Sequence, residues 1–579
     1  MAEVKNAFIK SKMNKDLDSR LVPQGEYRDA VNIQVSKSEG DDVGALENVL
    51  GNKISKDLDL DIPNLSCIGK EIDETNSLVY LFFTDNDDTG FSYKPSGTGS
   101  NHFIYVYNAN APNSSTKLVE GAFLNFSKAF PIIGVNILEN LLFFTDNRNQ
   151  PRKINVDLAT SVTNYYTNED QISVAKYFPY QAIEVIKEST LSPGNFETTM
   201  KDVFSQFIPV DDSSYITNPY WADEDLAGNP NFPGDPQYLE DKFVRFSYRF
   251  KFDDGEYSLL APFTQVCFIP KQDGYFLTGD EQQTVASTIV EFMENKVNEI
   301  SLQIPLPSAA DNINSDFKIT ELDIIYKESD GLALQVVETI PVSQITGTSN
   351  IFEYVYNSTK PYKTLPENEI TRVYDKIPVK ALGQEITSNR VVYANFQDKH
   401  TPPSGIDYQV AATRKNEEGD VGWAKTNIEY PNHTVKQNRN YQVGVVLSDK
   451  YGRQSTVILS NNTSQTDGDY GADTVYLPYS SLTGYDSNAF IGNSLKILFN
   501  EFIQSTKSSA TGEPGLYNGD PTDPAYKPLG WYSYKIVVKQ LEQEYYNVYA
   551  PSAMKGDPFF EGTVSITNPP NQNASFVNL

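Results

Sequence analysis

The chain has 579 residues, 39% of them hydrophobic and 12% aromatic, too many for one ordinary core, so about three to five domains are expected. Its 76 acidic residues against 47 basic ones give a formal net charge of −29, which argues against a general nucleic-acid binder, because that affinity comes from Lys and Arg on phosphates. No run of about 18 apolar residues offers a membrane span, and the opening MAEVKNAFIKSKMNKDLDSR lacks the apolar core of a signal peptide.

In chain order, the first predicted element lies in GEYRDAVNIQVSKSEGDDVGALENVLGN, residues 25–52. Ala30, Val31, Ile33 and Val35 predict a short strand, SEGDD a turn, and a second short segment follows. CIGKEIDETNSLVYLFF, from Cys67, reads as a hairpin. The stretch DNDDTG from Asp85 has oxygen-bearing residues at positions one, three and five and glycine at six, but Ser96 stands where an EF-hand needs its acidic twelfth residue. A solvated turn is expected there. HFIYVYNANAP, from His102, is the next strand out.

PIIGVNILENLLFF, from Pro131, repeats the hairpin with a turn at Glu139–Asn140, and RKINVDLAT, from Arg152, is its next strand. PVKALGQEITSNRVVY, from Pro378, is a third version with its turn at Ser388–Asn389. In LLFF, residues 141–144, both strand faces are apolar, and a strand apolar on both faces must be covered on both sides. Stacking small antiparallel sheets around an axis achieves this, as in a β-propeller. Propellers need about four blades or more, so weaker copies, or blades outside this chain, are expected besides the three.

A second repeat interrupts the first. KFVRFSYRFKFDDGEYSLLAPFT, residues 242–264, and NYQVGVVLSDKYGRQSTVIL, residues 440–459, are alternating strands around acidic and glycine-bearing turns. Each is followed by a strand pair, ITELDIIYKESDGLALQVVETI and YSYKIVVKQLEQEYYNVYAP. These read as β-sandwich modules, fibronectin-like rather than immunoglobulin-like because no Cys–Trp–Cys pattern occurs. One helix is expected in STIVEFMENKVNEI, where Ile289, Met293, Val297 and Ile300 form a stripe. The stretches 190–237 and 504–530 are rich in Gly, Pro and Asp and are expected as exposed loops, long enough to reach a neighbouring subunit.

The expected fold class is therefore all-β, a β-propeller platform with inserted fibronectin/immunoglobulin-like β-sandwich domains. The expected divisions are 1–60, an N-terminal docking segment and first strands; 61–185, propeller blades; 186–370, an inserted β-sandwich with long loops and one helix; 371–405, a further blade; and 406–579, a second β-sandwich.

Candidate chemistry is sparse. His102, His400 and His433 share no ligand spacing, so no zinc or other metal site is expected. No nucleophile elbow, P-loop or dinucleotide fingerprint occurs, and no cofactor is expected. Cys67 and Cys267 lie in strand-like apolar runs and are expected as buried free thiols, in keeping with a reducing cytoplasm. A glycosidase carboxylate pair is open among so many acids, yet Trp221, Trp423 and Trp531 are few for sugar stacking. A non-enzymatic role is expected. The alternatives are a β-propeller glycan hydrolase and a cell-surface adhesin with accessory β-sandwiches.

The stretch LVPQGEYRDAVNIQVSKSEGDDVGALENVLGN resembles the opening of tail proteins of short-tailed bacteriophages, namely the crAss-like phage tail muzzle, related to nozzle and tail-stabilisation proteins. The resemblance is strongest at Gly25, Glu26, Tyr27, Asp29, Asn32, Glu39, Gly40, Gly44, Glu47, Asn48 and Gly51. It continues in NLLFFTDNRNQPRKINV, in LDIIYKESDG and in TLPENEITRVYDKIPVKALGQEITSNRVVYANF. It implies a structural virion protein that forms a homo-oligomeric ring, commonly of six, at the distal tail below portal and adaptor proteins. DNA would pass through its centre without specific binding, and tail fibres are further implied partners. Gly25, Glu26, Tyr27, Arg28, Asp29, Asn32 and Glu39 would face the upstream tail ring. The place implied is the virion tail, assembled in the bacterial host cytoplasm; the net charge of −29 adds the expectation that acidic side chains line the channel.

Overall fold

The computed structural model describes residues 10, 12–35, 46–49, 51, 62–87, 100–111, 115–184, 200–201, 234–235, 238–239, 242–264, 266–267, 299–328, 331–370, 375–388, 390–414, 435–462, 470–478, 493–501, 503, 513–521, 523 and 525–541. Strands dominate and the helices are short, so the fold is all-β. The chain divides into two compact units, Met1–Ile62 with Asn108–Ser115, and Pro63–Tyr107 with Thr116–Leu579.

In the first unit, β1 (Lys12–Met13) pairs in parallel with β2 (Glu26–Tyr27), and β3 (Ile33–Val35) pairs antiparallel with β4 (Leu46–Asn48). The strand expected from Ala30 begins only at Ile33. Asn32 takes a φ of 53°, a left-handed conformation that breaks extension, and Val31 is exposed. The expected SEGDD turn lies outside the described residues.

In the second unit, β5 (Ser66–Asp73), β6 (Leu78–Thr84), β7 (His102–Asn108) and β8 (Ser115–Glu120) form a meander. A second sheet contains β9 (Gly134–Leu138), β10 (Leu141–Thr145) and β11 (Arg152–Asn155), with β10 central. Leu142, Phe144 and Ile154 share one core with Tyr80, Phe82, Ile104 and Leu118 of the first sheet. Alternation turns Phe143 to the opposite face, where it is also buried. Both faces of LLFF are thus covered, which is why all four positions are apolar. Asn155 ends β11 by accepting a hydrogen bond from Leu158 N, which caps α1 (Val156–Ser161). The RKINVDLAT strand therefore stops halfway, at Asn155. α2 (Glu169–Ile172) follows.

The first sandwich has two sheets. One orders β13 (Val244–Phe252), β15 (Ile319–Glu328), β16 (Gln335–Pro341) and β18 (Lys363–Thr364); the other orders β12 (Met200–Lys201), β14 (Glu299–Pro305) and β17 (Ile351–Tyr356). Phe246, Tyr248, Phe250 and Ile324 share a core with Ile300, Leu302 and Tyr356 from the facing sheet. α3 (Ile313–Phe317) closes one end of that core and α4 (Glu367–Ile370) follows β18. Glu299 and Ile300 are corrected from helix to strand, because Ile300, Leu302 and Ile304 alternate inward in β14; the rest of the expected helix lies outside the described residues.

β19 (Lys380–Thr387) and β20 (Arg390–Gln397) form the third hairpin. β19 runs against the β9–β10 hairpin, where Thr145 Oγ1 donates to Ala381 O at 2.6 Å and Asn147 N at 2.9 Å. Each of the three hairpins has a non-glycine residue at positive φ in its turn, Ser77 at 56°, Glu139 at 55° and Ser388 at 49°, as tight hairpins require.

The second sandwich orders β24 (Thr474–Leu477), β22 (Arg439–Asp449) and β26 (Trp531–Leu541) in one sheet and β23 (Tyr470–Gly471), β21 (Tyr408–Arg414) and β25 (Asn493–Phe499) in the other. Val443, Val445, Leu447 and Trp531 meet Tyr408 and Val410 in its core. Two further expectations are corrected. Cys67 is exposed, unlike the fully buried Cys267; a register shift between Cys67 and Gly69 is a bulge that turns the thiol outward. The described part of 504–530 is no exposed loop, because Tyr526 and Leu529 are buried.

Candidate interaction site

The described N-terminal candidates fall on one short ribbon of the first unit. Gly25 adopts a φ of 91°, which glycine tolerates without steric cost, and turns the chain into β2. Glu26 is held inward. Its carboxylate accepts from Asn14 Nδ2 at 3.0 Å and pairs with Lys10 at 3.7 Å and Lys12 at 3.9 Å. The Asn14 hydrogen bond holds it below the usual carboxylate range. Tyr27 is half-buried beside it, whereas Arg28, Asp29 and Asn32 are exposed. Asp29 accepts from Ala30 N at 3.0 Å and lies 3.6 Å from Lys15, and the Asn32 carbonyl accepts from Val49 N at 2.8 Å. The structure thus brings Gly25 to Asn32 together, gives Glu26 a local structural role, and leaves Arg28, Asp29 and Asn32 facing out. Glu39 lies outside the described residues.

A buried polar hub in the second unit was missed by sequence reasoning. Asp449, at the end of β22, accepts from Arg453 Nε at 2.6 Å and from Tyr451 N and Arg453 N at 3.0 Å, and its Oδ2 lies 2.9 Å from His400 Nε2. Arg453 Nη1 donates to Pro378 O at 2.8 Å, and His400 packs edge-on to Trp531. Burial alone would raise the Asp449 carboxyl; the Arg453 charge and the His400 contact outweigh it and hold it at about 2. Burial lowers the His400 pKa against the pull of Asp449, so the ring is neutral at pH 7.

Beside it, Tyr526 donates to Glu169 Oε2, and Lys450 donates to Asp170 and, at 3.0 Å, to Tyr517 Oη. Burial and then the Asp170 charge push the Glu169 carboxyl up to about 7. Burial works against the Lys450 charge, but Asp170 raises its pKa above the ordinary lysine value. The 513–530 segment carried the only sequence signal, its Tyr517 and Tyr526 among turn residues.

A cavity of about 380 Å³ is lined by Arg249, Glu256, Tyr257 and Glu369 among others. Its cation is already engaged: Arg249 pairs with Asp323 at 2.9 Å and with Glu369 at 2.5 Å, and stacks 3.8 Å over Tyr257. Among the described residues no cluster of His, Cys, Asp and Glu could hold a metal ion, and no helix is long and apolar enough to cross a membrane.

Residues 4–200 match the family model described as Crassvirus muzzle protein. Over that span the chain is similar to the crAss-like phage muzzle family. The matched span holds the exposed Arg28–Asn32 ribbon and the two sheets that share the LLFF core. No curated protein matches the chain. A muzzle protein is a structural part of a phage virion, so the family supports a tail component that assembles with other tail proteins.

Proposed function

We propose that this chain is a muzzle protein that forms a homo-oligomeric ring, a hexamer, at the distal phage tail, closing the channel and conducting the genome at ejection. It acts without catalysis. Its architecture is a propeller platform carrying two fibronectin-like sandwiches, divided at 1–60, 61–185, 186–370, 371–405 and 406–579. Gly25, Tyr27, Arg28, Asp29, Asn32 and Glu39 dock on the upstream portal and adaptor proteins, Glu26 braces that ribbon, and tail fibres attach elsewhere. Assembly takes place in the host cytoplasm, and DNA passes without specific contacts.

The observation that carries this reading is the family match over residues 4–200. The stacking of hairpins supports the propeller. β10 is covered on both faces, as an inner blade is, whereas β20 leaves Val392 and Phe396 exposed, where a next wedge would sit. Native mass spectrometry of the purified chain tests the ring. A closed oligomer is expected, and a stable monomer at micromolar concentration would sink it. Release of sugars from host surface glycans would overturn the non-enzymatic reading.

A further inference from the structure

The two sandwiches carry the same turn. Gly255 and Gly452 have φ of 78° and 79°. Gly255 N donates to Phe252 O at 3.0 Å and Gly452 N to Asp449 O at 3.1 Å. Ser258 Oγ accepts from Phe250 N and Ser455 Oγ from Leu447 N, both at 3.0 Å, and each serine then donates to the next carbonyl, at 2.8 and 2.7 Å. DDGEYS and KYGRQS are therefore one backbone with two sequences.

Both turns dock on the same short segment, residues 150–178, and their charges are opposite. In the first, Asp254 meets Lys176 and, at 3.0 Å, Lys153, while Glu256 meets Lys153 at 2.8 Å and Asp253 accepts from Tyr165 Oη at 2.6 Å. In the second, Lys450 meets Asp170, its carbonyl accepts from Phe178 N at 3.0 Å, and Tyr451 Oη accepts from Gln150 at 2.9 Å. The turns adjoin, since a Cβ on Gly452 would lie 2.9 Å from Leu259 and 3.0 Å from Phe178. Lys153, Lys176, Asp170 and Lys450 are largely buried, so a wrong sign there would be desolvated and unpaired.

We infer that the two equivalent turns are charge-coded plugs, each assigning its sandwich to its own berth, a basic one at Lys153 and Lys176 and an acidic one at Glu169 and Asp170. The shared backbone would fit either berth, and charge excludes the wrong one. The partner of each berth is thus a β-turn of stated sign from this same chain.

The test uses the full chain and thermal unfolding, with hydrogen exchange at Gly255 and Ser258. Asp254→Lys should lower Tm by roughly 5 °C or more and speed exchange at both amides, and it should cost clearly more than Asp254→Asn. Adding Lys153→Glu and Lys176→Glu should recover at least half of the loss. Equal cost for Asp254→Lys and Asp254→Asn, or no recovery in the triple variant, would overturn the inference. If Asp254→Lys does not fold, the triple variant decides: folded supports it, unfolded overturns it.

Discussion

Asp449 shows what one carboxylate does for this fold. It is fully buried and touches the segment just after the third hairpin through His400 and its own turn through Arg453. Asp449→Asn leaves the Arg453 guanidinium buried without its counter-charge, and a loss of about 3–5 kcal/mol is expected from urea unfolding. The pH dependence has two limbs. Asp449 and Asp254 sit at about 2, below their ordinary 3.8, so their stabilisation is present above pH 3.8 and lost as pH falls through 2. His400 lies below its ordinary 6.5, so it adds to the acid loss once pH drops under that value. Glu169 runs the other way. Raised from 4.5 to about 7, it holds its proton more tightly when folded, so stability declines as pH rises from 4.5 to 7. Glu169→Gln should flatten that part of a Tm-against-pH curve, and an unchanged slope would remove Glu169 as its source.

At the scale of elements, the decisive contact is sheet on sheet. Gly134 begins β9 where β19 crosses it, and a Cβ there would come within 2.8 Å of the Gln384 amide nitrogen and 3.0 Å of Thr145 Cγ2. The obstacle is backbone, so it cannot swing aside. Gly134→Val should push β19 off the β9–β10 hairpin and cost about 1–3 kcal/mol or more as overpacking, read as faster exchange at Asn147, whose amide bonds Ala381 O. Protection unchanged from wild type would show that the hairpins do not press on each other there. The hairpins and both duplicated turns were legible in the sequence, because alternation and turn residues are local signals. LLFF even announced two-sided burial. The hub was not legible, because Glu169, Lys450, Tyr517 and Tyr526 are far apart in sequence and each alone reads as a surface residue. Cys67 misled for a related reason: a bulge shifts the inward and outward pattern by one residue without changing composition.

For the whole molecule, the excess of 76 acidic over 47 basic residues has two consequences that salt separates. Exposed like charges repel across a Debye length of about 10 Å at 0.1 M salt, whereas the buried pairs of Asp254, Asp170 and Asp449 are screened far less. Adding salt should therefore relieve surface repulsion faster than it weakens the interior, and Tm should rise between roughly 0.02 and 0.3 M NaCl. A falling Tm would mean that attractive surface pairs outweigh the net charge. The same field acts on DNA. A duplex binds by exchanging counterions for Lys and Arg, and a net charge of −29 opposes that exchange over most of the surface. Duplex DNA should show no retardation with the purified chain even at low ionic strength, where non-specific binding is strongest. Retention that disappears with rising salt would reveal a clustered basic surface hidden by the total.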